Sequence, residues 1–403
     1  MTMQLPIQSE HERAGAMPDG KAGIEELIAP LVAFRRDIHA HPELGFAEHR
    51  TAAAIAEQLR AIGLEVESGI GGTGVVGVLR NGDGKGSLGF RADMDALPIH
   101  EDTGLDYASR TPGIFHGCGH DGHVATLLGA ARHLARTRHF NGTINFIFQP
   151  AEEGLGGAHK MIEDGLFDRF PCDQVYALHN WPDLPAGSAR TRPGPIMAAA
   201  DKFEILVSGR GGHAALPHQT PDAIVAASEL ALQLNMIVSR RIPPTSSAVL
   251  SVTQIAGGHA HNVLPAEVRL AGTVRTFDPA VQDVIEAALR DIAAGVALAS
   301  GTRIDVSYNR YYPATINDAE CAAHALAAAA AVCGDAAFAP DPAYTSEDFA
   351  FMLQARPGAY LWLGQGRPGK EAPLHHPHYD FNDEVIGTGI AWFTELAERL
   401  LPA

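Results

Sequence analysis

The sequence predicts an α/β fold in which a mixed sheet flanked by helices is interrupted by a smaller, ferredoxin-like β-α-β-β-α-β unit. Three observations predict it. The chain has 403 residues, 46% of them hydrophobic, which is enough for two cores and too much for one ordinary one. From residue 24 to about 195, and again from 314 onward, strand-like apolar runs alternate with helical ones, as in a sheet covered by helices on both faces. Near Ala198 the rhythm changes to β-α-β-β-α-β over about 110 residues, a unit complete in itself. The expected organisation is a loose polar leader at 1–23, a main domain at 24–195 plus 314–403, and an inserted domain at 196–313.

Each element has its own warrant. Apolar residues recur at helical spacing from Ile24 to about Phe34 and from about Ala47 to Leu59. GLEVESG, TGVVGVLR and SLGFRADM read as short strands, VATLLGAARHLAR as a helix and TINFIFQP as a buried strand. In the inserted stretch KFEILVSG alternates as a strand does, and PDAIVAASELALQLNMIVSR is helical, opened by its proline. SSAVLSVTQIAG and EVRLAGTVRTF are strands, DPAVQDVIEAALRDIAAGVALAS is a helix and TRIDVSYNRYY a strand. A helix at ECAAHALAAAAAVCG, the strand AYLWLG and the helix IGTGIAWFTELAERLL close the chain.

Charge narrows the function. Forty-seven acidic residues against 30 basic give a net charge of −17, a field that repels nucleic acid and anionic lipid. No apolar run reaches the roughly 18–20 residues of a membrane span. The first 23 residues lack the apolar stretch of a signal peptide, so a cytoplasmic protein is expected. Four cysteines are too few and scattered for a disulfide framework. Twenty histidines, many clustered, point instead to metal chemistry.

The densest constellation is HGCGHDGH at 116–123. Cys118 and His120 can face one site from a loop backbone, and Gly117, Gly119 and Gly122 let the chain turn around them. Thiolate and imidazole suit borderline divalent metals, although a glycine-rich turn capping a helix fits the same letters. In QPAEEG the strand TINFIFQP ends at Glu152 and Glu153. Adjacent side chains diverge, so one can bind a metal while the other serves a water as general base; an acidic helix start is the plain alternative. His179 ends the run VYAL, where a strand would deliver it to the carboxyl edge of the sheet. LHHPHYDFND offers His375, His376 and His378, and FRADMDALP offers Asp93 and Asp95, beside a metal or orienting a ligand histidine.

HGCGHDGH, QPAEEG, RADMDALP, RRDIHAHPELGF and SGRGGHAALPH together resemble the amidohydrolase branch of the dinuclear-metal aminoacylase/carboxypeptidase family, which includes hippurate hydrolases, N-acyl-amino-acid amidohydrolases and auxin-conjugate hydrolases. The resemblance runs in order from about Ile24 to Leu400. It implies metal ligands Cys118, His120, Glu153, His179 and His375, the last chosen over His376 because it stands two before proline in a Leu-His-x-Pro string. It implies Glu152 as general base and Asp95 as the acidic residue after the aspartate-rich strand. Relatives outside the branch carry a histidine ligand where Asp93 stands, which leaves open what bridges the metals.

The same resemblance implies that His213 reaches a neighbouring active site to steady the oxyanion, hence a homodimer, with a tetramer as the alternative, built through the inserted domain. Asn262 and Arg275 match positions that hold the substrate carboxylate, and Arg275 reads equally as a strand-surface charge. The expected reaction is hydrolysis of an N-acyl amino acid to a carboxylic acid and a free amino acid by attack of a metal-held water. Manganese or zinc is expected, with cobalt or nickel as alternatives. The rival readings are a dipeptidase or carboxypeptidase of the same family, a non-catalytic binding protein on this fold, and an amidase using Cys118 as nucleophile with His120.

Overall fold

The computed structural model describes residues 23–369 and 372–403; the expected leader at 1–23 lies outside them except for Gly23. Eight strands form the large sheet, in the spatial order Glu65–Ile70, Gly74–Asn81, Gly142–Gln149, Ser87–Asp93, Gln174–Pro185, Gly358–Gly366, Ser188–Thr191 and Asp335–Phe338. The four central strands, from Gly142–Gln149 to Gly358–Gly366, are parallel. The pairings outside them are mostly antiparallel, so the sheet is mixed, as expected. The central strands read as near-continuous apolar runs because both their faces are covered.

On one face lie the helices Glu25–Ala40, His49–Ala61, His120–Thr137, Ala319–Val332 and Ile386–Leu400, sharing a core with Phe90, Phe146, Leu127 and Trp392. The other face packs Gly157–Glu163, Leu166–Arg169 and Phe349–Ala355 around Met161, Phe349 and Tyr360. Between Ala199 and Tyr312 the chain builds a second sheet, all antiparallel, ordered Ala248–Ala256, Glu267–Thr276, Ala199–Ser208, Arg303–Tyr312. Helices Ala223–Asn235 and Pro279–Ser300 cover one of its faces over a separate cluster that includes Phe203, Leu230, Val274 and Ile285.

Several local expectations change. The helix expected from Pro221 starts at Ala223, because Asp222 caps it by accepting from the Ile224 and Val225 amides. It also breaks at Met236 into a second helix, Ile237–Arg241. The helix expected to follow the histidine cluster begins inside it, at His120. Six short strands among the described residues escaped the periodicity, among them Ser188–Thr191 and Asp335–Phe338 at the sheet's edge, where a few residues leave no pattern to detect.

A buried ionic knot fastens the first helix to the start of the third. Arg35 Nη1 donates to Asp121 Oδ2 at 3.0 Å, and Nδ1 of His39 lies 2.9 Å from the same oxygen. Burial opposes the charge on His39, but Asp121 and Glu101 outweigh it and raise its pKa to about 9. A raised pKa stabilises the fold fully below the unfolded value of about 6.5, and that stabilisation is lost as pH rises through about 9. We expect the unfolding free energy to fall by about 2–3 kcal/mol between about pH 6.5 and 9.5, and the fall to be missing in His39→Gln. Parallel denaturant titrations of the two proteins check this.

Candidate active site

Parallel strands end on one edge of a sheet, and that edge collects the predicted residues. Arg91 pairs with Ala177 across neighbouring strands; two residues further on, Asp93 and His179 stand at the same height. Asp93 pairs with Gln149, three residues before Glu152. Gly119, at φ 90°, turns the chain into the helix that starts at His120, and a Cβ there would collide with the Tyr379 hydroxyl and the Asn180 side chain. Only glycine meets both demands. His375 is also left-handed, at φ 66°, and its amide donates to Gly117 O at 2.8 Å, which docks the C-terminal loop onto the Cys118 turn.

The donor atoms of Cys118, His120 and Glu153 lie within 4.8 Å of one another, as do those of Asp93, His120, His123 and His179. Cys118 Sγ is 3.5 Å from His179 Nε2, and Glu153 Oε1 is 3.2 Å from His375 Nε2. All five predicted ligand positions therefore meet. Asp95 stands behind them: its Oδ1 lies 3.1 Å from His120 Nδ1, and its Oδ2 accepts from the Glu153 amide at 2.9 Å. That contact points the Nδ1–H of His120 at Asp95 and turns its Nε2 toward the cluster. His179 Nδ1 donates to Asn180 O at 2.7 Å, which frees its Nε2 in the same way.

The donor set fits a metal. His120 Nε2 is buried without a hydrogen-bond partner, an arrangement that costs free energy unless something else meets it. Burial and the negative field of Glu153, Glu152 and Asp93 push the Cys118 thiol well above its usual range. A cation would reverse that field. The same field argues against Cys118 as a free nucleophile, which needs an electropositive setting. Burial opposes charge on His120, but Asp93 and Asp95 lift its pKa to about 10. Asp93 and His123 spend their facing atoms on each other, at 2.5 Å.

Glu152 and Glu153 diverge as expected. Glu153 joins the metal-donor cluster, and Glu152 turns to a second one with Glu347 and Asp348. Burial, then Glu347, Glu153 and Asp348, push the Glu152 carboxyl well above its usual range. Between the two sheets opens a cavity of about 500 Å³ that exposes Cys118, Glu152, Glu153, His179 and His375, with Trp181, Met197, Tyr344 and Leu374 as apolar walls. Arg275 reaches it from the second sheet. His213 and Asn262 do not. They are exposed on a two-stranded ribbon where His213 pairs with Val263, outside the cavity lining.

Sequence reasoning missed Arg91, Glu347, Asp348 and Tyr312. Arg91 is 1% exposed, and it donates to Asp93 at 2.7 Å, Glu347 at 2.9 Å, Asp348 at 3.1 Å and Gln149 at 2.7 Å. A charge inside an apolar strand was the available signal. Tyr312 gave none, since one tyrosine ending a strand is unremarkable. Removing a cation from among buried carboxylates leaves them uncompensated, so Arg91→Leu should cost about 3–5 kcal/mol of stability, measured by chemical denaturation.

Comparison with known proteins gives a consistent picture. The model of the peptidase family M20/M25/M40 matches residues 89–399. The chain is 41% identical to the hippurate hydrolase of Campylobacter jejuni over 94% of this chain and 98% of the relative. It is 36% identical to an N-acetylcysteine deacetylase of Bacillus subtilis over 92% and 97%. Among solved structures, the YXEP protein of Bacillus subtilis, described as a dinuclear metal-binding peptidase of the M20 family, superposes with a TM-score of 0.82 at 33% identity, covering 94% of this chain and 99% of that one.

Proposed function

The chain belongs to peptidase family M20/M25/M40, and from that premise we propose that it is a metal-dependent amidohydrolase, cleaving the amide bond of N-acyl amino acids of the hippurate or N-acetyl type to a carboxylic acid and a free amino acid. One observation carries the reading: Glu153 turns into a cluster of nitrogen and sulfur donors while adjacent Glu152 stays outside that cluster at the wall of the same cavity. Cys118, His120, Glu153, His179 and His375 would hold two divalent ions, manganese or zinc before cobalt or nickel. Such ions, when bound, polarise the scissile carbonyl and ease deprotonation of the attacking water.

The chain's own groups do the rest. Glu152 takes the water proton and passes it to the departing amine, a task that suits a carboxyl whose pKa burial has raised. Asp95 keeps His120 in its ligand tautomer. Arg275, half-buried at the cavity, offers a guanidinium to the substrate carboxylate. The apolar walls around Trp181, Met197 and Leu374 suit an aromatic acyl group better than an acetyl.

His213 and Asn262 belong, in this reading, to a partner's site. The inserted domain, 196–313, then serves as lid and dimer contact beside the catalytic domain at 24–195 and 314–403. Helix Ala223–Asn235 exposes Ile224, Val225 and Leu232, and the neighbouring edge strand exposes Ile255, apolar surface suited to a second copy. No helix among the described residues is long and apolar enough to cross a membrane, and a cytoplasmic setting belongs to this reading.

Chelator-stripped protein should release no glycine from hippurate and should regain activity on adding manganese; activity that survives fresh chelator would sink the mechanism. Glu152→Gln and His213→Ala should each be inactive with normal metal content. Mixed together, they should recover part of the wild-type rate through heterodimers, read as glycine release. No recovery would remove His213 from a partner's site.

A further inference from the structure

The loop that carries Glu152 satisfies only part of its own backbone: the Gly154 amide donates to Glu152 O at 2.7 Å and the Gly157 amide to Ala151 O at 3.0 Å, while the Gly156 amide is served from outside the loop. Ala151, Gly154 and Gly156 all take positive φ (53°, 86° and 74°), which breaks any regular pairing after the strand Gly142–Gln149. A single phenol meets these polar groups. The Tyr312 hydroxyl donates to Glu152 O and accepts from the Gly154 amide at 3.0 Å and the Gly156 amide at 3.1 Å.

Tyr312 comes from the other sheet. It is the last residue of strand Arg303–Tyr312, and from there the chain crosses back to the large sheet through Thr315–Asn317. The strand's register slips at this end: Arg310 pairs with Asp201 and Tyr312 with Ala200, so Tyr311 is an extra residue. Neighbours in a regular strand point to opposite faces, and a bulge re-aims them. Here it lets the Tyr311 and Tyr312 rings stack at 4.2 Å and 8°. Tyr311 Oη also occupies the space that a Cβ on Gly154 would need. Both tyrosines thus press on the Glu152–Gly156 loop from the junction between the two sheets.

We propose that Tyr312 is a positioning residue for Glu152, clamping the catalytic loop to that junction so that the carboxylate's place depends on the second sheet. The proposal rests on the reaction assigned to this site. Tyr312→Phe keeps the ring and its stacking but removes all three bonds. Expected are a kcat on hippurate lowered about 10–100-fold and a KM within about twofold of wild type. Metal content should stay at the wild-type value, and the Gly156 amide, which loses its bond to the phenol, should exchange faster with solvent. A wild-type kcat, a defect confined to KM, or a loss repaired by added metal would each overturn the clamp. If the wild-type protein hydrolyses no N-acyl amino acid, the assigned reaction fails on its own. The clamp is then decided by amide exchange, and unchanged protection of the Gly156 amide in Tyr312→Phe would refute it.

Discussion

The Arg91 guanidinium, buried in the middle of the large sheet, meets three buried carboxylates. Asp93 ends its own strand, while Glu347 and Asp348 arrive from a loop more than 250 residues later. An unpaired charge in such a place is costly, so each partner is held by need as well as by fit. Through Asp348 the network reaches the catalytic loop. Asp348 accepts from Gln149 at 2.7 Å and from the Ala158 amide at 2.9 Å, and its own amide donates to Glu152 at 3.3 Å. One cation thus fixes the floor beneath both the donor cluster and Glu152.

Above that floor the site rests on backbone turns. Cys118, Glu152 and His375 all sit on segments that leave regular structure through left-handed residues: Gly119, Ala151 and His375 itself. Such turns bring donors from three distant parts of the chain to the carboxyl edge of the sheet, where no element stands in their way. Strain held at these turns is matched by contacts that hold them, such as the Ala151 amide on buried Glu48 at 2.8 Å.

Much of this was legible in the letters. Strands Ser87–Asp93 and Gly142–Gln149 announced themselves by apolar runs, and the change of rhythm near Ala198 marked where the second sheet begins. Cys118, His120, Glu152 and Glu153 stood out as candidates because metal chemistry uses few residue types at short spacings, and His179 because it ends an apolar strand. Glu347 and Asp348 were not, because an acidic pair before a helix looks the same whether it caps the helix or faces Arg91. Tyr312 was invisible for a related reason: its role lies in a one-residue register slip, and periodicity does not record register.

By itself, then, the sequence determined the element types, the two-sheet organisation and the chemical character of the site, since all three follow from local pattern and residue type. Tertiary structure decided which of these residues meet. It placed Arg275 at the cavity and left His213 and Asn262 on an exposed ribbon away from it. It turned Glu153 toward the donors and Glu152 away from them. The physical reason is that spacing along a chain limits only near neighbours, whereas contacts between residues 91 and 347, or 152 and 312, exist only once strand order, register and turns have closed the space between them.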